Sequence, residues 1–172
     1  ATSVMILVER GRIALSDPVV KHIPEFAPAG GDREKVTVEQ LLTHRAGLVP
    51  DDPIELYTGT PQEIFARKFS QPLESVPGTR FRYSDVTYEV LGELVRRVAG
   101  VPLDEFAERE IFRPLAMKDS HFRPIATIPF LGERIALADP SRPPVARIAP
   151  TERRDGHWLR GEGHDPRAHA LG

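Results

Sequence analysis

Apolar residues fill five consecutive positions near the start of the chain, from Val4 to Val8. On a helix such a run would cover every side, and a helix that is apolar all round is buried. Gly11 follows at a position suited to ending a helix. The pattern therefore predicts a buried helix within residues 1–12. A short buried strand is the alternative, because periodicity alone does not separate the two.

The clearest helical pattern begins after Tyr83. Six apolar residues fall on one stripe at the 3.6-residue period: Val86, Val90, Leu91, Leu94, Val95 and Val98. Glu93 and Arg97 form an i,i+4 pair that we place on the solvent side of this helix. Gly100 is expected to end the helix.

Capping residues predict two shorter helices. Thr37 and Gln40 form a capping box, and Gly47 is expected to end the helix that follows. The segment 60–63 is a stronger start, because it combines a threonine cap, a proline at the first helical position and an acid at the third.

A further helix should begin at Pro102 and close at Pro114, with three apolar residues turned inward: Leu103, Phe106 and Ile111. Residues 13–28 mix proline, aspartate and isolated apolar residues, which predicts a loop with short turns. Only Thr79–Tyr83 and Arg134–Leu137 resemble strands. The predicted fold class is therefore mostly α-helices and loops.

Composition narrows the possible functions. The chain has 172 residues with 40% hydrophobic and 28% charged, which suits one globular domain or a large piece of one. A net charge of −2 gives no electrostatic case for nucleic acid as a partner. No apolar run approaches the roughly 20 residues of a membrane span. Seven of the 17 prolines follow position 120, so we expect residues 119–172 to be irregular.

Most signatures of chemistry are missing from the sequence. It contains no cysteine, no Ser-x-x-Lys, no Gly-x-Ser-x-Gly and no His-Glu-x-x-His. His164, Asp165 and His169 lie close together, but their spacing in a proline-containing loop suits a preformed metal site poorly. We therefore expect neither a metal nor a cofactor.

Tyr83, Ser84 and Asp85 stand side by side where the long helix must begin. Their structural interpretation is simple: Tyr83 packs, and Ser84 or Asp85 serves as the N-cap. His44 is interpreted in the same way, as a hydrogen-bonded histidine in the turn after its helix. Whether the triplet also carries chemistry depends on the residues around it.

Four stretches together resemble the serine β-lactamase and penicillin-binding-protein superfamily, and in particular its class C β-lactamase-like esterases and peptidases. The triplet resembles the family's second motif, which is Tyr-x-Asn or often Tyr-Ser-Asn or Tyr-Ser-Asp, so Asp85 stands where asparagine is common. The longer agreement comprises Pro77-Gly78, Phe81, Tyr83-Ser84-Asp85, Tyr88 and Leu91-Gly92. The other three stretches are L41-L-T-H-R-A-G-L48, L7-V-E-R-G-R-I-A-L-S-D-P18 and I111-F-R-P-L-A-M-K-D-S120. Ala46 stands where the family commonly has serine, and Ala116 where it has glycine.

This resemblance implies a serine hydrolase. The family's Ser-x-x-Lys serine attacks an ester or amide carbonyl, and water then releases the acyl group. The resemblance gives catalytic roles to Tyr83 and Asp85 and a substrate contact to Ser84. Nearby lysine cations would favour the Tyr83 phenolate and make it a usable base. Asp85 would bond the lysine or the substrate, and its charge would disfavour anionic substrates such as β-lactams.

The same resemblance implies that the chain is a partial domain, the helical part of an α/β (α+β) β-lactamase/transpeptidase-like fold. Residues 1–12 would end the buried nucleophile helix, and residues 36–118 would form the helical region with the Tyr-Ser-Asp motif. The nucleophile, its lysine and the third motif, Lys-Thr-Gly or His-x-Gly, are absent from the sequence. We therefore expect the isolated chain to be inactive and its partners to be the rest of its own domain and a small ester or amide. A periplasmic or secreted location is expected. The alternative is a non-catalytic binding or regulatory module of the same fold.

Overall fold

The computed structural model describes residues 1–27, 32–122, 125–127, 134–136, 149–150, 153–154 and 156–158. Helices dominate this part of the chain, as predicted. The α-helices are α1 (Thr2–Glu9), α2 (Val38–Leu42), α3 (Pro61–Phe69), α4 (Asp85–Ala99) and α5 (Leu103–Ala107). Short 3-10 turns occupy Val19–Lys21, Pro24–Phe26, Arg33–Lys35 and Ile54–Leu56, and a π-helical turn at Glu108–Phe112 continues α5.

Helix α4 is the centre of the core and contacts α1, α2 and α5. The predicted stripe is confirmed: its first five residues are buried, and Val98 is half-buried against the same cluster. Burying each such side chain contributes about 1.5–3 kcal/mol relative to leaving it exposed. Gly100 ends the helix in the left-handed conformation, with φ of 76°.

The N-terminal run is a helix, as predicted, and Gly11 ends it. The Gly11 N–H bonds to the Val8 carbonyl and the Arg12 N–H bonds to the Leu7 carbonyl, the Schellman arrangement. The prediction of burial on every side is wrong in this structure. Val4 and Leu7 face the core, whereas Met5 is 45% exposed.

The predicted capping box and the predicted threonine cap are both present, and the second is also a capping box. Thr37 and Gln40 cap α2 reciprocally, and Thr60 and Glu63 do the same for α3. The prediction that Gly47 ends α2 is wrong, because the helix already stops at Leu42.

The turn after α2 explains that earlier end. His44 takes the left-handed conformation with φ of 54°, and the Arg45 N–H bonds to the Gln40 carbonyl at 2.7 Å. Gly47 has a different role. A Cβ atom at this position would lie 2.2 Å from the Ser75 carbonyl oxygen, so only glycine allows this close approach.

The predicted strand at Thr79–Tyr83 does not form. This segment has no regular secondary structure. The Gly78 N–H just before it bonds to the Arg45 carbonyl, and the Arg82 N–H within it bonds to the His44 carbonyl, so it lies against the turn after α2. Arg134–Ala136 is a strand as predicted, whereas Leu137 lies outside the described residues. The strands are β1 (Ile125–Thr127) with β2 (Arg134–Ala136), and β3 (Arg153–Arg154) with β4 (His157–Trp158), both pairs antiparallel.

The loop prediction for residues 13–28 holds as far as residue 27, but this loop contributes to the core. Val19, Ile23 and Phe26 are fully buried.

The predicted solvent position of the Glu93–Arg97 pair is wrong in part, because Glu93 is buried. Burial raises the pKa of Glu93, but bonds from Arg96 and Arg97 outweigh it and leave the pKa lowered.

A buried cluster of charges joins the loop before α3 to α3 and α4. The Lys68 ammonium bonds to Asp52 Oδ2 at 2.6 Å and also contacts Glu89 and the Tyr57 hydroxyl. The Tyr57 hydroxyl in turn donates to the Glu89 carboxylate at 3.0 Å. Burial raises the pKa of Glu89 despite the opposing pull of Lys68. The Lys68 ammonium therefore contacts both carboxylates, and the buried Arg33 adds an electrostatic interaction with Asp52.

We expect Lys68→Met to destabilise the chain by about 3–5 kcal/mol, because two buried carboxylates lose their cation. Glu89→Gln should change stability by only about 1 kcal/mol, since Lys68 keeps Asp52 as its counter-ion and the glutamine keeps a hydrogen-bond acceptor for Tyr57. Urea unfolding at pH 7 measures both values. The cluster has been misinterpreted if Glu89→Gln proves the more damaging change.

Candidate active site

Ser84 is the fixed point of the Tyr-Ser-Asp triplet. Its side chain is fully buried, and its hydroxyl donates to the Val49 carbonyl at 2.6 Å while accepting from the Thr87 N–H at 3.3 Å. Ser84 is thus the N-cap of α4, which the structural interpretation had left open between Ser84 and Asp85. This arrangement gives no support to the substrate contact predicted for Ser84, because both of its hydroxyl bonds are made within the chain.

His44 lies against the same turn. Its Nδ1 is 3.2 Å from the Ser84 backbone nitrogen and 3.0 Å from the Thr87 hydroxyl. Its ring stacks on Tyr88 with centroids 5.0 Å apart and lies 4.7 Å from the ring of Tyr83. The interpretation of His44 as a hydrogen-bonded histidine in a turn is confirmed. Its contact with the triplet was not predicted, since it joins segments about 40 residues apart.

The loop after α2 supports the other side of the triplet. Besides the bond from Ser84 to Val49, the Asp85 N–H donates to the Pro50 carbonyl at 2.9 Å. Asp85 then occupies the first turn of α4, where a carboxylate is favoured by the helix dipole. The backbone on either side of Ser84 is therefore tied to residues 44–50.

Tyr83 points outward from this fixed backbone and is 64% exposed. A hydrogen-bonding interaction with the Asp85 carboxylate, followed by the negative charge of Asp85, raises the pKa of Tyr83. The resemblance led us to expect cations that favour the phenolate. In the described part of the chain the charge that sets the pKa is an anion, so the shift has the opposite sign.

The structure thus places the exposed residues Tyr83 and Asp85 on either side of the buried Ser84, with the Asp85 carboxylate acting on the phenol. A neutral phenol held in this way is a hydrogen-bond donor. It becomes a proton acceptor only when a cation offsets Asp85, because ionisation would otherwise place two negative charges side by side.

The described residues contain no group of three side chains suited to a metal ion. His164, Asp165 and His169 lie outside those residues. Among the helices described above, none is long and apolar enough to cross a membrane.

Comparison with known proteins places these features in a family. The model of the Beta-lactamase family matches residues 1–168. The chain belongs to this family. A Salmonella agona protein named "Putative D-alanyl-D-alanine carboxypeptidase" is 34% identical over 131 residues, which cover 69% of this chain and 30% of that protein. The chain therefore aligns with less than a third of the length of this curated relative.

Two solved structures resemble the fold of this member of the Beta-lactamase family. A D-stereospecific amidohydrolase from a Streptomyces species is 28% identical, with a TM-score of 0.63 over 74% of this chain and 43% of the neighbour. A penicillin-binding protein homologue from Caulobacter crescentus is 33% identical, with a TM-score of 0.60 over 71% of this chain and 33% of the neighbour. The family resemblance drawn from the sequence motifs is confirmed.

Replacing Asp85 with asparagine should lower the pKa of Tyr83 toward its ordinary value. The change removes the adjacent negative charge and weakens the bond that favours the neutral phenol. A pH titration of the Tyr83 Cζ signal by ¹³C NMR measures the pKa of Tyr83 in both proteins. Asp104→Asn, the same substitution in the first turn of α5, is the control and should leave the titration unchanged. An unaltered or higher pKa of Tyr83 in the Asp85 variant would contradict the assignment.

Proposed function

We propose that this chain is the helical part of a serine hydrolase that acts through an acyl-enzyme on an ester or amide. The observation that carries the proposal is the placement of Tyr83. Its phenol projects into solvent from a backbone fixed on both sides, in a chain of the Beta-lactamase family. Preorganised backbone with an accessible reactive group is what acid–base catalysis requires.

In the proposed reaction a serine oxygen attacks the carbonyl carbon, and its proton passes to a base that includes Tyr83. The proton then moves to the leaving alcohol or amine as the C–O or C–N bond breaks. Water attacks the acyl-enzyme ester in a second cycle and regenerates the serine. An unperturbed phenol is only about 0.1% ionised at neutral pH, and Asp85 lowers that fraction further. A lysine that contacts both groups would reverse this effect.

That lysine and the nucleophilic serine are proposed to lie outside these 172 residues, because the sequence contains no Ser-x-x-Lys and neither form of the third motif. On this proposal residues 1–12 end the nucleophile helix, residues 36–118 form the helical region, and residues 119–172 are a proline-rich segment that contains the short strands β1 to β4. The helical part would pack on a sheet formed by the rest of an α/β (α+β) domain. The isolated chain would be inactive.

The names of the relatives suggest the substrate class. One is named as a D-alanyl-D-alanine carboxypeptidase and another as a D-stereospecific amidohydrolase. We extend the proposal to amides of D-amino acids alongside simple esters. A substrate of this kind fits a periplasmic or secreted location, which cell fractionation of the native host would test.

The protein expressed with the coding sequence on both sides of this chain should hydrolyse a p-nitrophenyl ester. Tyr83→Phe should lower its kcat about 10²- to 10⁴-fold, the usual contribution of a positioned acid–base group. Tyr88→Phe is the matched control, because it removes a phenol five positions away but keeps the ring that stacks on His44, and its hydroxyl is 3.4 Å from the Leu42 carbonyl. The 172-residue chain alone should show no turnover above buffer.

Two outcomes would overturn the proposal. A longer protein that reacts with neither a fluorophosphonate nor a penicillin probe would indicate the alternative, a non-catalytic binding module. Hydrolysis by the isolated chain that depends on Tyr83 would show that the nucleophile does not have to come from elsewhere.

Asp85 should also affect the choice of substrate. In the longer protein, Asp85→Asn should raise kcat/KM for an anionic β-lactam relative to a neutral ester, roughly fivefold, because a unit charge a few ångströms from the substrate is removed. Parallel assays of nitrocefin and p-nitrophenyl acetate give the ratio. An unchanged ratio would mean that Asp85 does not face the substrate's charge.

A further inference from the structure

We propose that His44 is the positioning residue for Tyr83, holding the backbone on both of its sides. This inference rests on the proposed function for its catalytic consequence. Its structural part stands on contacts within the chain. The His44 carbonyl accepts from the Arg82 N–H at 2.9 Å, and His44 Nδ1 accepts from the Ser84 N–H at 3.2 Å. One residue thereby holds the Phe81–Arg82 peptide, which lies one residue before Tyr83, and the Tyr83–Ser84 peptide, which directly follows it.

The hydrogen bonds assign the tautomer of the His44 ring. The Thr87 hydroxyl is within reach of both His44 Nδ1, at 3.0 Å, and the Ser84 carbonyl, at 2.7 Å, and it can donate to only one of them at a time. The Ser84 N–H has no such freedom, because a backbone amide can only donate. Ser84 is fully buried, so an N–H group facing a protonated Nδ1 would have no water to replace its lost acceptor. Nδ1 therefore carries the lone pair and Nε2 carries the proton.

The backbone conformation of His44 shows why the two hydrogen bonds around Tyr83 require a histidine at this position. With φ of 54°, His44 ends α2 in the left-handed conformation, which directs its carbonyl to Arg82 and its ring to Ser84. Among residues other than glycine, asparagine, aspartate and histidine adopt this conformation most readily. Glycine would allow the turn and keep the backbone carbonyl, but it would supply neither the Nδ1 acceptor for the Ser84 N–H nor the ring.

The ring also forms part of the surface from which Tyr83 projects. It lies 4.7 Å from the Tyr83 ring, stacks on Tyr88, and meets the edge of Phe81 at 6.1 Å. Two contributions must therefore be separated, the acceptor at Nδ1 and the packing of the ring. His44→Asn keeps an acceptor near the position of Nδ1 and tolerates the left-handed backbone, whereas His44→Phe keeps an aromatic ring and loses the acceptor.

The first experiment is a long-range ¹H–¹⁵N spectrum of the unmodified 172-residue chain at pH 8, which reports the tautomer of each histidine. We expect His44 with a protonated Nε2 and an unprotonated Nδ1. A His44 ring protonated at Nδ1 would overturn the proposal, because it could not accept the Ser84 N–H. This measurement does not depend on any activity of the protein.

The second experiment compares the two variants in the longer, active protein. We expect His44→Phe to lower kcat about tenfold or more with little change in KM, because a misplacement of about 1 Å costs up to about 100-fold. His44→Asn should stay within about threefold of the unmodified kcat. The proposal is overturned if the kcat of His44→Asn falls as far as that of His44→Phe, or if His44→Phe retains the full kcat. Either result would show that the Nδ1 acceptor does not position Tyr83.

The two experiments distinguish failure of this inference from failure of the proposed function. A longer protein without any turnover would refute the proposed function, and the catalytic consequence for His44 would be lost with it. The tautomer measurement would still decide whether His44 holds the peptides around Tyr83.

Discussion

The burial of Ser84 is the constraint on which the candidate site depends. Its backbone and side chain bond to His44, Val49 and Thr87, so no water is needed to satisfy its polar groups. Because Ser84 cannot move without breaking these bonds, the residues on either side of it are placed as well. Tyr83 and Asp85 both face solvent as a result, one on each side of a buried N-cap.

The bonds around Ser84 fix the position of Tyr83 but do not supply a positive charge that would favour its phenolate. Asp85 raises the pKa of Tyr83, so a phenolate base requires a cation from elsewhere. The buried ammonium of Lys68 does not meet this need, because Asp52, Glu89 and Tyr57 already surround it. In the described residues, a buried ammonium is therefore already paired, whereas the charge that acts on the proposed catalytic Tyr83 is that of Asp85. This division agrees with the proposed position of the catalytic lysine outside these residues.

Local signals predicted the helices well, because their causes lie within a few residues. Capping boxes and the apolar stripe of α4 are of this kind. Long-range contacts were harder to predict. The left-handed His44 ended α2 before Gly47, and residues 79–83 bonded to that turn instead of pairing as a strand. The burial of Phe26 likewise depends on contacts such as that with Phe69. At the site, the motif suggested Tyr83 and Asp85 as candidates, but only the fold shows the effect of Asp85 on the Tyr83 pKa and the contacts of His44 with Ser84 and Tyr83.

Hydrogen exchange at the Ser84 amide is the most direct test of the claim that the chain itself fixes the triplet. In the 172-residue chain at neutral pH, the buried bond from this N–H to His44 should slow exchange at least about 100-fold relative to an unstructured peptide, as for amides inside stable helices. Exchange of Ser84 within about tenfold of the unstructured rate, while the amides of Val90 and Leu94 in α4 remain protected, would contradict the account. It would show that Tyr83 projects from a mobile turn.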